Sequence, residues 1–327
     1  MSIALPPLIV GGAVFNSQYN ENPEDLPITA LLEKANKLGI NALDTSPYYG
    51  PSEVLLGKSL GYLFSTGAID RSKYFICTKV GRIQLEEFDY SPQWVNTSIH
   101  RSLKRLNTEY LDVVFLHDVE FQTQKQSLEA LAELMRLKNE GIIKNVGISG
   151  YPVEYLCKLA IECVKAPDVG KLDIIMSYCN MCLQNTTLEK YHDRFLNEAQ
   201  VKLVNNASIL SMSMLTANPT RSFHPASKTL KGRVDELAIQ LKEKFNEDLA
   251  ELSTRFALRE WTAKGKGSTV LGLSSVAELD SAFTQWEFVT GEKSFEQEKK
   301  DLVMVKFARD FLGSHLNETW SSGIDHS

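Results

Sequence analysis

The stretch INALDTSPYYGPSEVLLGKSLGYL, residues 40–63, contains one complete strand, turn and helix pattern. Its first part, INALDT, is a short apolar run that is typical of a buried β-strand. Its last part, SEVLLGKSLGYL, has apolar residues at helical spacing, and Ser52 stands where an N-cap serine is expected. Between them lie Asp44 and two adjacent tyrosines, Tyr48 and Tyr49. The stretch predicts a strand that delivers an acid and two phenols into the connection to a helix.

The same pattern recurs along the chain. Strands that are nearly all apolar suit a parallel sheet covered on both faces, and strict alternation with helices selects the α/β class. Eight such units in 327 residues predict a (β/α)8 TIM barrel, formed as one domain over 1–327. A doubly wound open sheet is the alternative, but VGGAVFN lacks the G-x-G-x-x-G fingerprint that its first turn requires. The eight β-rich runs are LIVGGAV, INALDT, YFICTKV, LDVVFLH, IKNVGIS, LDIIMSY, VKLVNNAS and STVLGLS.

Two segments fall outside the repeated pattern. MLTANPTRSFHPASKTLKG, residues 214–232, follows the seventh run and is long enough to predict a functional loop. FEQEKKDLVMVKFARDFLG, residues 295–313, predicts an added amphipathic helix on the barrel exterior, within a C-terminal extension over about 290–327. The polar tail after this helix is expected to fray.

Composition excludes several classes of protein. A net charge of −6 argues against nucleic acid as a partner, since phosphate binding requires clustered Lys and Arg. No run approaches the roughly 18 apolar residues of a membrane span, which predicts a soluble, cytoplasmic protein.

The five cysteines are expected to be buried and reduced, including the C-x-x-C pair Cys179 and Cys182. Six scattered histidines without ligand spacing predict no metal site.

Polar side chains stand where several strands are predicted to end. These ends meet at one mouth of a barrel, so Asp44, Lys79 and His117 are expected to lie close together. Buried charges are costly unless paired, which predicts an ion pair between Asp44 and Lys79. Such a lysine beside a tyrosine is expected to lower the phenol pKa from about 10 into the range of proton transfer near neutrality. His117 and Asp118, as neighbours on a strand, are expected to point to opposite faces.

Four motifs carry a family resemblance. In chain order, these motifs are NALDTSPYYGPSEVLLG, YFICTKVGR, IHRSLKRLNTEYLDVVFLHDVE and GIIKNVGISGY. With them, the sequence resembles the aldo-keto reductase superfamily over nearly the whole chain. The resemblance implies a barrel that binds an extended nicotinamide dinucleotide at its C-terminal mouth without a Rossmann fold. The superfamily's catalytic tetrad, with Tyr five residues after Asp, falls on Asp44, Tyr49, Lys79 and His117. Tyr49 is then the implied proton carrier, and Tyr48 a wall of the sugar site.

The resemblance extends to a branch that oxidises the anomeric carbon of a free aldose to an aldonolactone with NAD, in an ascorbate-type biosynthetic pathway. Asn, Gln and Tyr residues that hold nicotinamide in many members are replaced here by Gly150, Met176 and Ala207. Cofactor contacts are implied at Gly12, Ser149, Gly150, Met176, Ser208, Leu210, Ser211 and Ser274. Substrate contacts are implied at Phe15, Tyr48, His117 and Asp118.

The residues implied to lie at the adenosine end of the site indicate which dinucleotide is preferred. NADPH-specific members carry a Lys-Ser pair and a later Arg for the 2′-phosphate, where this chain has Leu273-Ser274 and Leu279. Leucines cannot make the charge-assisted bonds that a dianionic phosphate requires. The resemblance therefore implies NAD as cofactor, with NADP disfavoured.

Two other functions remain open. An NADPH-dependent aldehyde or ketone reductase would use the same tetrad, and a non-catalytic, nucleotide-sensing regulatory subunit would keep the same barrel. A small aldose is the expected partner, with no required protein partner and a monomeric state.

Overall fold

The computed structural model describes residues 3–292 and 294–326. Its eight parallel strands pair in chain order, and β8 pairs with β1 to close a barrel. The predicted (β/α)8 barrel is confirmed, and each β-rich run contains one strand. The strands are β1 Leu8–Gly11, β2 Ala42–Asp44, β3 Phe75–Val80, β4 Leu111–Leu116, β5 Ile143–Gly150, β6 Ile174–Tyr178, β7 Leu203–Ala207 and β8 Thr269–Gly272.

Helices surround the barrel. Helices α1 to α6 each connect two successive strands, α7 and α8 share the connection from β7 to β8, and α9 and α10 follow β8. The helices are α1 Ile28–Lys37, α2 Ser52–Ser65, α3 Pro92–Arg105, α4 Gln124–Asn139, α5 Val153–Lys165, α6 Thr187–Asn197, α7 Lys228–Phe245, α8 Leu249–Ala257, α9 Val276–Thr290 and α10 Ser294–Leu312.

Helix α2 begins at Ser52, but the prediction that Ser52 is its N-cap is wrong. The N-cap position belongs to Pro51, and the Ser52 side chain does not cap the helix. The Ser52 hydroxyl instead donates to the Gly12 carbonyl at 2.9 Å and lies 2.8 Å from Thr45 Oγ1. A Cβ at Gly12 would lie 2.9 Å from this hydroxyl, so only glycine permits the approach. The serine therefore ties α2 to the ends of β1 and β2.

Side chains fill the barrel interior, which is a packed core and not a pore. Alternate strand residues point outward and join the helices in a much larger apolar cluster. All five cysteines are buried and free, as predicted. With the interior filled, a ligand can reach the strands only at the mouth. The inward-facing cluster consists of Ile9, Ala42, Cys77, Val113, Phe115, Ile174, Met176, Ala207 and Val270.

Helix α10 packs on the barrel exterior, as predicted. It contacts α7, α8 and α9, and a buried ion pair fixes it to α8. The Arg255 guanidinium donates from Nε to Asp301 Oδ2 at 3.1 Å and from Nη2 to Asp301 Oδ1 at 2.9 Å. This fork geometry compensates the desolvation of both charges.

The tail beyond α10 is not frayed, which corrects the prediction. It returns to the mouth, where the Trp320 ring stacks on Tyr151 with centroids 4.3 Å apart. Glu120, just after β4, holds the tail twice: Ser322 Oγ donates to its Oε1 at 3.0 Å, and the Ile324 amide donates to its carbonyl at 2.9 Å. Polar composition suggested a loose end, but one aromatic anchor and these hydrogen bonds fix it in place.

Candidate active site

A cavity of about 1270 Å³ opens at the C-terminal mouth of the barrel. Its walls come from the strand ends, the connections after β1, β3 and β7, one side of α8 and α9, and residues 320–323 of the tail. Common small-molecule sites measure roughly 300–1,000 Å³. The cavity therefore has room for a dinucleotide and a small substrate together.

The irregular stretch after β7 forms part of the cavity wall. Arg221 Nη2 donates to the Tyr19 carbonyl at 3.1 Å, and the Phe223 ring meets the Tyr19 ring edge-on at 5.6 Å. The loop thus crosses the mouth to the connection between β1 and α1.

The strand ends bring Asp44 and Lys79 into a buried ion pair, as predicted. Lys79 Nζ donates to Asp44 Oδ1 and, at 3.0 Å, to the Thr45 carbonyl. Burial opposes the charge on Lys79, but the Asp44 carboxylate and the neighbouring Tyr49 outweigh it and raise the lysine pKa above its usual value. Lys79 is therefore a fixed positive charge at the floor of the mouth.

Tyr49 lies beside this pair, yet its pKa is not lowered. Lys79 Nζ is 4.9 Å from the centre of the Tyr49 ring. Burial has the larger effect, however, and raises the pKa of Tyr49 to about 12, with Lys79 opposing the shift. The prediction of a lowered phenol pKa is wrong for the protein without ligand, because the desolvation of the phenolate exceeds its attraction to the lysine. At neutral pH Tyr49 holds its proton.

Tyr48 has a different environment. The Arg82 guanidinium stacks over its ring at 4.3 Å, and the ring meets His117 edge-on at 5.9 Å. Tyr48 and Tyr49 are both half-buried and both line the cavity, but Arg82 lies over the Tyr48 ring and Lys79 over the Tyr49 ring. The two rings thus differ in the cation that each one contacts, and the division of roles between them stays a prediction.

His117 and Asp118 both face the cavity, so the expectation that they diverge is wrong. Asp118 has a left-handed backbone conformation, with φ of 53°, which ends β4 and breaks the strand alternation. As a result Asp118 Oδ2 lies 3.5 Å from His117 Nε2. Asp118 also pairs with Arg82. Burial lowers the pKa of His117 to about 3, so the imidazole is neutral.

Most of the implied contact residues line the cavity, and four do not. The residues at the cavity wall are Asp44, Tyr48, Tyr49, Lys79, His117, Asp118, Ser149, Met176, Ser208, Leu210 and Ser274. Gly12 packs against Ser52, and Phe15 is wholly buried in the main apolar core. A Cβ at Gly150 would lie 2.3 Å from Glu120 Oε2, so this glycine makes room for that carboxyl group and does not face a ligand. Ser211 lies behind the wall, fully buried.

The residues present fit a nicotinamide dinucleotide. Small side chains at Ala207 and Ser149 leave space at the mouth where the ring would lie. The Ser211 hydroxyl is buried without a hydrogen-bond partner in the described chain, and Ser211, Met212 and Ser213 all have positive φ. Ser211 itself lies behind the wall, but Met212 and Ser213 line the cavity, so this loop would hold the pyrophosphate.

Many of the cavity residues were not predicted from sequence, among them Arg82, Tyr178 and Trp320. Arg82 follows β3 and pairs with Asp118, and its place directly after the end of that strand, in the motif TKVGR, was the available signal. Tyr178 ends β6, where a strand-end position was again the available signal. Trp320 stacks on Tyr151 from the tail. Nothing in the local sequence indicates that the tail folds back, because its partners lie far away in the chain.

The described part of the chain contains neither a candidate metal site nor a candidate membrane span. No cluster of three or more His, Cys, Asp or Glu side chains suited to a metal ion occurs within residues 3–292 and 294–326. Over those same residues, no helix is long and apolar enough to cross a membrane.

Comparison with known proteins identifies the family. The model of the aldo/keto reductase family matches residues 7–300. The chain belongs to the aldo/keto reductase family. Among curated members it is 48% identical to D-arabinose 1-dehydrogenase of Saccharomyces cerevisiae, over 99% of this chain and 95% of that protein. It is 32% identical to L-galactose dehydrogenase of Arabidopsis thaliana, over 96% and 92% respectively.

Solved structures show the same fold. A holo-form aldo-keto reductase from Bacillus halodurans superposes with a TM-score of 0.67 at 22% identity, over 97% of this chain and 96% of that one. Members of the family use nicotinamide cofactors.

The buried carboxyl group of Glu120, which holds the tail, should make the free energy of unfolding depend on pH. Burial, followed by repulsion from Asp118, raises the pKa of Glu120 from 4.5 to about 8. The folded state thus binds this proton more tightly than the unfolded chain. The resulting stabilisation is complete below the unfolded pKa and is lost as pH rises through the folded pKa. We expect the free energy of unfolding of the wild type to fall as pH rises from about 5 to 9, and that of Glu120→Gln to fall less. Urea titrations across this pH range measure both.

The matched control for this measurement is Glu129→Gln, since Glu129 is an exposed glutamate on α4. It should keep the wild-type pH dependence. An equal slope for Glu120→Gln and the wild type would contradict the assignment.

Proposed function

We propose that this protein oxidises the anomeric carbon of a free aldose, such as D-arabinose or an L-galactose-type sugar, to the aldonolactone with NAD+. The observation that carries the proposal is the group of Asp44, Lys79, Tyr49 and His117 at the mouth of one large cavity. The 48% identity to a D-arabinose 1-dehydrogenase over almost the whole chain supports this substrate class.

In the proposed reaction each of these four side chains has one role. The bound nicotinamide supplies the hydride acceptor. Tyr49, as phenolate, takes the proton of the anomeric hydroxyl, so that the C1–O bond becomes a carbonyl. Lys79 stabilises the phenolate, and Asp44 keeps Lys79 in place. His117, a neutral imidazole, hydrogen-bonds the reacting oxygen.

The sugar hydroxyls have polar partners on the same wall. The Asp118 carboxylate accepts hydrogen bonds, and Arg82, paired with it, donates them. Tyr48 and Trp320 add aromatic faces that suit the apolar side of a sugar ring. These groups come from the turns after β2, β3 and β4 and from the tail, so sugar preference would depend on several loops.

Preference for NAD over NADP is supported by the charges between α8 and α9. Asp248, Glu251 and Glu278 line the cavity there, and none of the described lining residues of these two helices is basic. Leu273 also lines it, whereas Leu279 is fully buried in the core and does not face the cavity. An added 2′-phosphate would therefore lie beside acids and a leucine, without a charged donor.

A substitution at Leu273 tests this preference. We expect Leu273→Lys to increase NADP+ affinity by about 10-fold or more, since a hydrogen bond to a charged group contributes roughly 1.5–3 kcal/mol. Fluorescence titration of both dinucleotides measures the change, and NAD+ affinity should alter little. Val54→Lys adds the same charge at an exposed position on α2 and should change neither affinity. Tighter binding of NADPH than NADH by the wild type would overturn the preference.

The proposed activity is tested by following NAD+ reduction across a panel of aldoses, with NADP+ in parallel. We expect turnover with D-arabinose or L-galactose-type sugars and release of the aldonolactone, identified by mass. An enzyme that oxidises no free aldose, yet reduces aldehydes with NADPH, would overturn the proposal.

One observation favours that second function. Tyr49 holds its proton at neutral pH, which suits a proton donor in carbonyl reduction. The rates of aldose oxidation and of carbonyl reduction, measured near neutral pH at matched cofactor saturation, separate the two functions.

A further inference from the structure

Ser46 lies behind the cavity wall, two residues after the end of β2. It is fully buried, and its Oγ is 3.1 Å from His117 Nδ1. The Tyr48 amide donates to the same oxygen, also at 3.1 Å. Ser46 therefore touches the one imidazole of the site and the backbone of one of its tyrosines, without itself lining the cavity.

Proton counting determines the direction of the contact with His117. Ser46 Oγ accepts from the Tyr48 amide and has one proton to donate. Among the described residues, His117 Nδ1 is its other hydrogen-bond partner. If Nδ1 carried a proton, the buried hydroxyl would have no acceptor, at a cost of about 1–3 kcal/mol. The hydroxyl therefore donates to Nδ1, and the ring proton belongs to Nε2.

The charges around the ring favour the same tautomer. Asp118 Oδ2 lies 3.5 Å from Nε2, so its negative charge attracts a proton on that nitrogen. Lys79 and Arg82, the cations near the ring, disfavour a second proton, and burial does so more strongly. The imidazole is thus neutral, with Nε2–H directed at the cavity side.

We propose that Ser46 is a positioning residue that fixes His117 in its Nε2–H tautomer, so that the imidazole donates a hydrogen bond to the oxygen of the substrate. Ser46 touches no ligand and acts through His117. The kinetic part of this inference rests on the proposed function, whereas the tautomer itself does not.

The tautomer is measured directly in the full-length protein by two-bond 1H–15N NMR of the histidine rings. The His117 signals are identified by their loss in His117→Asn. We expect the wild type, without substrate, to show an Nε2–H ring, and Ser46→Ala to show a mixture of both tautomers. A wild-type ring protonated on Nδ1 would overturn the inference, and so would a pure Nε2–H ring in Ser46→Ala.

Kinetics provide the second measurement. We expect Ser46→Ala to lower kcat for aldose oxidation by about 10-fold, equivalent to roughly 1.4 kcal/mol, with little change in the KM for NAD+. Ser52→Ala is the matched control, because Ser52 is an equally buried serine that bonds to Gly12 and Thr45 and not to His117. Equal losses of kcat in both variants would overturn a specific role for Ser46. A wild type without aldose turnover would reject the proposed function, while the spectrum would still decide the tautomer.

Discussion

Tyr49→Phe should lower kcat by roughly 10²–10⁴-fold, the usual contribution of a positioned proton-transfer group. The change removes one oxygen and leaves a ring of the same shape beside Lys79 and His117. Dinucleotide binding should therefore persist, which separates a chemical loss from a binding loss. Steady-state kinetics with the best aldose, and fluorescence titration of the cofactor, measure the two effects.

Tyr48→Phe is the matched control, because the neighbouring residue has the same side chain but stacks on Arg82. It should mainly change the KM for the sugar. A larger loss of kcat in Tyr48→Phe than in Tyr49→Phe would show that the two roles are reversed.

The ionisation of the Tyr49 hydroxyl should also determine how the rate of oxidation depends on pH. Burial raises the pKa of Tyr49 to about 12 in the free protein, so the phenolate fraction increases as pH rises towards that value. Because kcat/KM reports ionisations of the free enzyme, it should climb through about pH 9 without a plateau near neutrality. A plateau beginning near pH 7 would mean that another group limits proton removal.

Asp44→Asn should lower the free energy of unfolding by about 3–5 kcal/mol, as expected when one partner of a buried ion pair is removed. Asp44 and Lys79 are both almost fully buried, at 4% and 2% exposure, so Lys79 would keep a charge that water cannot reach. Activity should also fall strongly, since Asp44 orients Lys79 towards Tyr49. Urea unfolding and steady-state kinetics measure the two losses.

Two comparisons isolate the cause. The double variant Asp44→Asn with Lys79→Met removes the stranded charge, and should recover most of the stability but none of the activity. Asp280→Asn breaks an exposed ion pair with Lys34 and should cost about 1 kcal/mol or less. If Asp44→Asn were no more destabilising than Asp280→Asn, the buried pair would contribute little.

Secondary structure and the order of the strands were predictable, because they follow from repeated local patterns. Each apolar run became a strand, and the polar residues at the ends of β2, β3 and β4 meet at one mouth. The Asp44–Lys79 pair was predictable too, since two opposite charges at neighbouring strand ends reduce each other's desolvation cost when they pair.

Contacts that depend on packing between distant segments were not predictable. Phe15 and Gly12 follow β1 closely, yet packing turns Phe15 into the core and places Gly12 against Ser52. Gly150 faces Glu120, and the tail docks on that same glutamate across about two hundred residues. Local patterns contain no information on these partners.

The sequence alone was thus sufficient for the barrel, the mouth and the chemical character of the residues gathered there, because strand periodicity and the cost of buried charge act locally or between neighbouring strands. Tertiary structure alone decided the protonation of the site. The pKa of Tyr49 depends on how completely the phenol is buried, and the ring proton of His117 depends on Ser46 and Asp118, which reach it only through the turns after β2 and β4. Desolvation and hydrogen-bond geometry are properties of the folded environment, which no spacing along the chain can express.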